Sequence, residues 1–270
     1  MSFSDSAYRF LDVGGTFIKR ADGTQVPTMS DKGREDIAAA IRKAIGPAEG
    51  LKGVGVAIPG PFDYAEGTFL MKHKFASVFG ENFRTLAKLP ESVEVKYLHD
   101  VNALLLGAVN MLGLKNGNTA LVTLGTGLGF SYTLDGSIQY GPGGSPLLSL
   151  WNTPAPWGGI LEDRISARGI CGEYRAMTGE NRPAHAIARM AYASDPTAMR
   201  VYAGTGALLG EALREILRQL GTEVLLVGGQ IAGSLSLMLA PLQEALPGIS
   251  IMRAPEGAVF QGLAYLFENQ

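Results

Sequence analysis

The 270-residue sequence contains a single cysteine, Cys171, which excludes an internal disulfide and any zinc site built from several cysteines. A chain without disulfides is typical of the reducing cytoplasm, which is the predicted location. Charged residues are also few, at 18% of the chain, whereas hydrophobic residues reach 46%. This balance favours an ordered globular protein.

Long apolar runs and an excess of basic charge are absent as well. The apolar stretches 224–227 and 235–240 are far shorter than the ~20 residues that span a bilayer. Residues 1–6 lack the basic start and apolar run of a signal peptide. The net charge of −2 and the pI near 6.0 give no basic footprint for nucleic acid. We therefore expect neither a membrane nor nucleic acid as a partner.

Glycine is abundant, with 36 residues, and it marks a unit of the sequence that occurs twice. The unit is a strand, a glycine turn, a second strand, an Asp-Gly turn and a third strand, at 8–26 and again at 119–140. Strand-to-strand glycine turns are common, so coincidence is the alternative explanation. The repetition predicts two related lobes, each presenting a glycine turn to a shared cleft.

The rest of the chain alternates strands with helices, which predicts an α/β fold with mixed sheets flanked by helices. The remaining predicted strands are 53–58, 93–98, 224–227 and 249–252. The predicted helices are 35–45, 102–112, 204–220, a segment after Gly228-Gly229 that ends at about Leu239, and 257–267.

Both glycine turns suit a phosphate chain, because glycine lets backbone N–H groups approach an anion closely. The turns are 14–16 and 125–129. Neither has the Gly-Lys-Ser/Thr of a P-loop, and the second opens a hairpin rather than the helix of a dinucleotide site. Either turn alone is weak support, but together they predict a triphosphate site.

Two aspartates follow apolar strands. Asp12 precedes the first glycine turn, where it either bonds to N–H groups of the turn or organises Mg²⁺ and its waters beside a phosphate. Asp100 is either the cap of the helix that follows it or a general base that takes a proton from a substrate hydroxyl. We favour the metal and the base.

Six short segments resemble, in the same order, the motifs of the ROK family, the bacterial sugar kinases and glucokinases with sugar-responsive repressor relatives. They are the first phosphate motif at 11–16, the sugar-pocket loop at 58–61, the catalytic segment at 99–103, the second phosphate motif at 124–129, a sugar-contacting segment at 161–166 and the adenosine-side strand and glycines at 225–229.

The resemblance implies an actin-like ATPase (ribonuclease H-like) fold with two similar lobes around a central cleft. It implies lobes at 1–115 and 116–256, with a final helix, 257–270, that packs on the first lobe. It also implies phosphorylation of a hexose or amino sugar by ATP with Mg²⁺. Homodimers are frequent in the family, so a homodimer is an open expectation, and polyphosphate in place of ATP is an open donor.

The resemblance also implies a role for each matching residue. Asp100 is the catalytic base, and Asp12 holds Mg²⁺, directly or through water. The implied nucleotide contacts are Asp12, Gly14, Gly15, Thr16, Gly125, Thr126, Gly127, Gly228 and Gly229. The implied sugar contacts are Pro59, Gly60, His99 and Glu162.

The sequence departs from the family pattern on the sugar side. His99 replaces the family's asparagine, and the alignment places Gly144 and Leu147 at the positions of its glutamate and histidine. The zinc-binding cysteines are missing too, so no structural zinc is expected. Because sites that bond hydroxyls discriminate steeply, these losses indicate a changed substrate, weak activity or none.

The alternatives to a kinase are therefore a sugar- or nucleotide-binding regulator and, with less support, a phosphatase or ATPase. The first predicted strand begins by Tyr8, which leaves no room for a helix-turn-helix and argues against direct control of DNA. The run Lys72-His73-Lys74 is either a contact for an acidic sugar or an ordinary solvated charge run. His99, Trp151 and Asn152 are candidates to rebuild the pocket, although Trp151 equally suits a core.

Overall fold

The computed structural model describes residues 7–155 and 158–268. Residues 1–6 of the predicted first lobe and residues 269–270 of the predicted last helix therefore lie outside the described residues. Its contacts divide the chain into two units. The first unit consists of Met1–Gly113, Tyr140–Leu147 and Pro255–Gln270, and the second of Leu114–Gln139 and Leu148–Ala254.

The elements are given in chain order. The strands are β1 (Tyr8–Val13), β2 (Phe17–Arg20), β3 (Gln25–Pro27), β4 (Gly53–Ile58), β5 (Phe62–Asp63), β6 (Thr68–Phe69), β7 (Glu94–His99), β8 (Thr119–Leu124), β9 (Leu128–Leu134), β10 (Ser137–Ile138), β11 (Val224–Gly228) and β12 (Ser250–Arg253). The α-helices are α1 (Arg34–Ile45), α2 (Phe83–Ala87), α3 (Asp100–Leu112), α4 (Leu161–Ile165), α5 (Ala167–Thr178), α6 (Ala184–Tyr192), α7 (Pro196–Gln219), α8 (Leu239–Ala245) and α9 (Ala258–Glu268). The 3₁₀ turns are Ala76–Val78, Pro142–Gly144 and Gln230–Leu237.

The first unit is built on a five-stranded mixed sheet in the order β3-β2-β1-β4-β7. The strands β1, β4 and β7 are parallel, and the β1–β2–β3 meander is antiparallel. All six residues of β4 are buried, as expected of a central parallel strand with both faces covered. The helix α1 carries acidic residues in its first turn and basic residues in its last, which favours its ends electrostatically.

Helices α3 and α9 of the first unit pack together against the sheet through two glycines. A Cβ on Gly107 would overlap the carbonyl oxygen of Ala258, and a Cβ on Gly262 would overlap that of Ala103. Only glycine permits this approach of the two backbones. The packing fixes α3, whose first residue is Asp100.

The second unit has a sheet of the same topology, in the order β10-β9-β8-β11-β12. The strands β8, β11 and β12 are parallel, and the β8–β9–β10 meander is antiparallel. The prediction of two similar units with mixed sheets flanked by helices is confirmed. None of the described helices combines the length and apolar character needed to cross a membrane.

Two predicted helices in the second unit were wrong in extent or type. The helix predicted at 204–220 is α7, which begins at Pro196 because Asp195 caps it, its carboxylate accepting a hydrogen bond from the N–H of Ala198 at 2.7 Å. The segment after Gly229 that was predicted as a helix through about Leu239 is a 3₁₀ run with a kink at Ser234, followed by α8. The sequence interpretation also missed α2, α4, α5 and α6, together with the short strands β5 and β6.

Candidate functional site

The first glycine turn joins β1 to β2 in the first unit, and its carbonyl groups are held from within the unit. The hydroxyl of Thr28 donates to the carbonyl of Gly14 at 2.8 Å, and the hydroxyl of Ser30 donates to that of Gly15 at 2.6 Å. Among the described residues, none accepts a hydrogen bond from the N–H of Gly15 or of Thr16. The fixed turn therefore has two N–H groups available to an anion.

Asp12 lies one residue from the end of β1, paired with Ala57 of β4 and Lys19 of β2. Burial raises the pKa of its carboxyl to about 6, the charge of Asp100 adds to the rise, and Lys19 opposes it. In the described part of the chain no group donates a hydrogen bond to this carboxylate, so the predicted alternative of bonds to the turn is not what the structure has. A cation at this position would relieve the burial of the charge.

Asp100 is the first residue of α3, and His99, the last residue of β7, occupies the N-cap position. The alternative prediction that Asp100 caps the helix is therefore wrong by one residue. His99 Nδ1 lies 2.8 Å from Asp100 Oδ1 and 3.3 Å from the nitrogen of Val101, whose N–H also donates to Asp100 Oδ1 at 2.8 Å. The shorter distances indicate that Nδ1–H and the N–H of Val101 both donate to Asp100.

These contacts keep Asp100 ionised. Burial opposes its charge, but the hydrogen bond and charge of His99, the N–H of Val101 and the charge of Lys74 together hold its pKa below the ordinary value. Its side chain keeps 37% of its surface exposed, so a small molecule can reach it. An accessible carboxylate that stays ionised at neutral pH is suited to accept a proton.

The predicted sugar loop lies beside His99 in the first unit. A Cβ on Gly60 would lie 3.4 Å from the hydroxyl oxygen of Tyr64 and 3.6 Å from His99 Cδ2. The Tyr64 ring is 5.8 Å from the His99 ring, and its hydroxyl donates to the carbonyl of Ile58 at 3.0 Å. Tyr64 was missed from the sequence because it lies three residues after the predicted sugar loop, outside the matched motif.

Gly144, aligned with the glutamate position of the resemblance, lies against Tyr64 and Asn102. Its carbonyl accepts a hydrogen bond from Asn102 Nδ2 at 3.2 Å, and a Cβ on Gly144 would lie 3.1 Å from that of Tyr64. The structure therefore brings Gly60, His99 and Gly144 together around Tyr64.

The second glycine turn, in the second unit, is supported by Glu162. The N–H of Leu128 donates to Glu162 Oε2 at 3.0 Å, and Arg168 Nη2 lies 2.8 Å from Oε1. The carbonyl of Gly125 accepts a hydrogen bond from the N–H of Ala167 at 2.9 Å. Glu162, predicted as a sugar contact, thus holds the turn that contains Gly125, Thr126 and Gly127.

Gly228 and Gly229, at the end of β11, lie next to the strand that leads into this turn. Gly228 pairs with Thr123 of β8, and a Cβ on Gly229, whose φ is 83°, would overlap the carbonyl oxygen of Leu124. The predicted nucleotide residues of the second unit are therefore neighbours at the carboxyl ends of two parallel strands, where ligands of α/β sheets bind.

The carboxylate of Asp12 is chemically suited to bind Mg²⁺. No group of three or more His, Cys, Asp or Glu side chains able to hold a metal occurs in residues 7–155 and 158–268. Mg²⁺ in nucleotide sites needs no such cluster, because phosphates and waters supply most of its ligands beside one or two carboxylates. The buried carboxylate of Asp12, one strand residue before the turn with the open N–H groups, is of the type that such an ion uses.

Comparison of the chain with known protein families shows the family to which it belongs. The model of the ROK family matches residues 13–147, half of the chain. The chain belongs to the ROK family. A glucokinase of Halalkalibacterium halodurans is 26% identical over 302 aligned residues, which cover 96% of this chain and 90% of that protein.

Solved structures of ROK proteins share the fold. A glucokinase from Streptomyces griseus, solved with glucose and AMPPNP, has a TM-score of 0.78 at 20% identity and covers 95% of this chain and 97% of its own. A ROK family transcriptional regulator homologous to the E. coli MLC protein has a TM-score of 0.69 at 19% identity, covering 96% of this chain and 80% of its own. The predicted family and the actin-like ATPase fold are confirmed. A fold shared by a kinase and a regulator does not by itself decide the function.

Proposed function

We propose that this protein is an ATP-dependent carbohydrate kinase that phosphorylates a hydroxyl of a sugar or sugar derivative. The observation that carries the proposal is the position of Asp100, an accessible carboxylate held ionised by His99 in the same unit as the first glycine turn. The curated glucokinase relative and the glucose and AMPPNP bound in the Streptomyces griseus structure support the carbohydrate and the nucleotide.

In the proposed reaction Asp100 accepts the proton of the acceptor hydroxyl as its oxygen bonds to the γ-phosphorus. The bond from that phosphorus to the oxygen it shares with the β-phosphate breaks, and the electron pair leaves with ADP. Such transfers need positioning and neutralised charge more than covalent chemistry from the protein. The hydrogen bond from His99 orients the carboxylate of Asp100 and keeps it in the basic form.

The nucleotide is assigned to both glycine turns. Gly14, Gly15 and Thr16 of the first unit bind phosphate through their backbone, and Asp12 holds Mg²⁺, itself or through water, where the ion would neutralise phosphate charge. In the second unit the nucleotide contacts are Gly125, Thr126, Gly127, Gly228 and Gly229. Their support is the placement of all five at the carboxyl ends of β8 and β11.

The acceptor is assigned to Pro59, Gly60 and His99, with Glu162 as a further contact. Tyr64 joins them because it lies against both Gly60 and His99. With glycine at position 144, next to Tyr64, the chain lacks the carboxylate that the family resemblance implies there. The acceptor is therefore a sugar or derivative that presents fewer hydroxyls to that side of the pocket.

A second candidate is a catalytically weak or inactive regulator that binds a sugar or nucleotide. Gly144 and Leu147 favour it, since both remove polar contacts to the sugar that the resemblance implies. The regulator with the same fold makes the candidate reasonable on structural grounds, although at 19% identity the likeness concerns the fold alone.

The test is a coupled ADP-release assay with Mg·ATP and a panel of hexoses, amino sugars, N-acetyl sugars and sugar acids. Asp100→Asn is the diagnostic variant, and Asp31→Asn, at a surface aspartate with 77% of its side chain exposed, is the matched control. We expect turnover with at least one acceptor, a loss of about 10³-fold in the diagnostic variant and no loss in the control. Ligand binding by folded protein without turnover on any acceptor would instead support the regulator.

A further inference from the structure

Lys74 belongs to the charged run 72–74, and its side chain lies against the first glycine turn. A Cβ on Gly15 would lie 3.2 Å from Lys74 Nζ and 3.3 Å from both Cδ and Cε. The end of the lysine side chain therefore covers the backbone of Gly15, one of the two residues whose N–H groups are open to an anion.

The backbone around Lys74 is anchored to the same turn. The next residue, Phe75, is fully buried, has a φ of 56° and donates its N–H to the carbonyl of Ser30 at 2.8 Å. Ser30 in turn donates its hydroxyl to the carbonyl of Gly15 at 2.6 Å. The backbone that carries Lys74 is thus fixed by a buried neighbour and two hydrogen bonds, while the lysine side chain itself is exposed.

The charge of Lys74 has no partner in an ion pair among residues 7–155 and 158–268, yet it acts on Asp100, whose pKa it lowers. Lys72, two residues earlier, differs because its ammonium lies 5.3 Å from the centre of the Phe79 ring in a cation–π contact. Of the two lysines in the run, only Lys74 combines an uncompensated charge with a position on the phosphate turn and close to the proposed base.

We propose that Lys74 is a catalytic residue that contacts the γ-phosphoryl group of ATP during transfer. The proposal rests on the proposed function, in which the γ-phosphorus bonds to the hydroxyl that Asp100 deprotonates. The γ-phosphate must then lie near Asp100 and the first turn at the same time, which is where the Lys74 ammonium lies. Lys74 donates hydrogen bonds to the γ-phosphate oxygens as negative charge shifts onto the leaving ADP.

A contact to the γ-phosphate is measurable without knowledge of the acceptor, because ADP lacks that group. Isothermal titration with Mg·AMPPNP and with Mg·ADP is compared in the wild type, Lys74→Met, Lys74→Arg and the control Lys72→Met. We expect Lys74→Met to weaken the binding of Mg·AMPPNP about tenfold and that of Mg·ADP less than twofold. Lys74→Arg should retain most of the preference for Mg·AMPPNP over Mg·ADP. Lys72→Met should bind both nucleotides as the wild type does.

Other outcomes separate this inference from the proposed function. If Lys74→Met weakens the binding of both nucleotides equally, or of neither, the γ-phosphate contact is refuted. The proposed kinase activity would still stand if the wild type phosphorylates an acceptor. Should the wild type bind neither nucleotide and turn over no acceptor, both proposals fail. On the acceptor that the wild type uses, kcat of Lys74→Met should fall about 10²-fold with little change in the acceptor KM. A changed pH profile with unchanged kcat and unchanged nucleotide preference would assign Lys74 a role through Asp100 alone and overturn the contact.

Discussion

The two units have sheets of the same topology but differ in charge at their glycine turns. The fifth residue of β1 is Asp12, and the fifth residue of the corresponding strand β8 is Thr123. The first turn has Asp100 and Lys74 nearby, whereas the second is supported through its backbone by Glu162. The first turn is therefore surrounded by ionisable side chains, whereas the second is held through its backbone by a single carboxylate.

The largest expected effect comes from substituting the two corresponding residues, Asp12 and Thr123. Asp12→Asn should lower kcat/KM by about 10²-fold and raise the Mg²⁺ concentration needed for half-maximal rate, because the buried carboxylate is the proposed ligand. Thr123→Val, the matched change in the second unit, should alter the rate less than threefold. The measurement is the coupled assay over a range of Mg²⁺ concentrations. Equal losses in the two variants would mean that the units share the metal chemistry.

Close backbone packing at glycine, unlike the charged side chains, should contribute equally to the stability of both units. Gly262→Ala in α9 and Gly206→Ala in α7 should each lower the free energy of unfolding by about 2 kcal/mol, since each Cβ would overlap a carbonyl oxygen. Gly204 is also in α7, but a Cβ there would meet no atom of another element within 4 Å, so Gly204→Ala should raise the free energy of unfolding by about 0.5–1 kcal/mol. Urea unfolding followed by circular dichroism measures all three. A Gly262→Ala protein as stable as the wild type would contradict the close approach of α3 and α9.

Glu162 offers a test of what the second turn does. Glu162→Gln replaces the carboxylate that holds the N–H of Leu128, so we expect the KM for ATP to rise about three- to tenfold. The acceptor KM should stay the same if the residue serves the turn, and should rise if it contacts the sugar. Asp163→Asn, which also removes a contact to Arg168, is the control and should change neither constant.

The smallest expected effect is a shift in pH dependence. His99 favours the ionised form of Asp100, so His99→Asn should raise the pKa of that carboxyl. Asp100 would then be protonated up to a higher pH, and the acid limb of kcat/KM should move to higher pH by about half a unit to one unit. Lys74 and Asp12, the other charges acting on this region, are unchanged in the variant. His185→Asn, at an exposed histidine of the second unit, should leave the limb in place, and a shift towards lower pH for His99→Asn would contradict the assignment.

The sequence was sufficient for features that local patterns encode. Both meanders, the buried strand β4 and the helices α1 and α3 follow from apolar periodicity and from Gly and Asp-Gly turns, and they appear within a few residues of their predicted bounds. The start of α7 was missed because the cap signal of Asp195 followed by Pro196 was overlooked. Gly206 and Gly210 lie inside the helix, where packing on the following segment leaves no room for a Cβ.

Site residues that depend on distant contacts were harder to predict. Asp12 and Asp100 lie in recognisable motifs, but the interactions of Tyr64 and Lys74 arise from loops far from those motifs in sequence. Glu162 was assigned to the sugar by resemblance, and its contact with the N–H of Leu128 depends on a residue 34 positions away. The sequence pattern identifies the chemistry, and tertiary packing determines which side chain supports which group.

Gly144 has a consequence for how this protein can change. Its φ is 86°, a conformation that favours glycine, and the ring of Tyr64 occupies the space beside it. A glutamate introduced there would be strained by the backbone and would meet Tyr64, so it would not restore the pocket implied by the family resemblance. The positive φ and the side chain of Tyr64 therefore restrict independently which residues position 144 can accept.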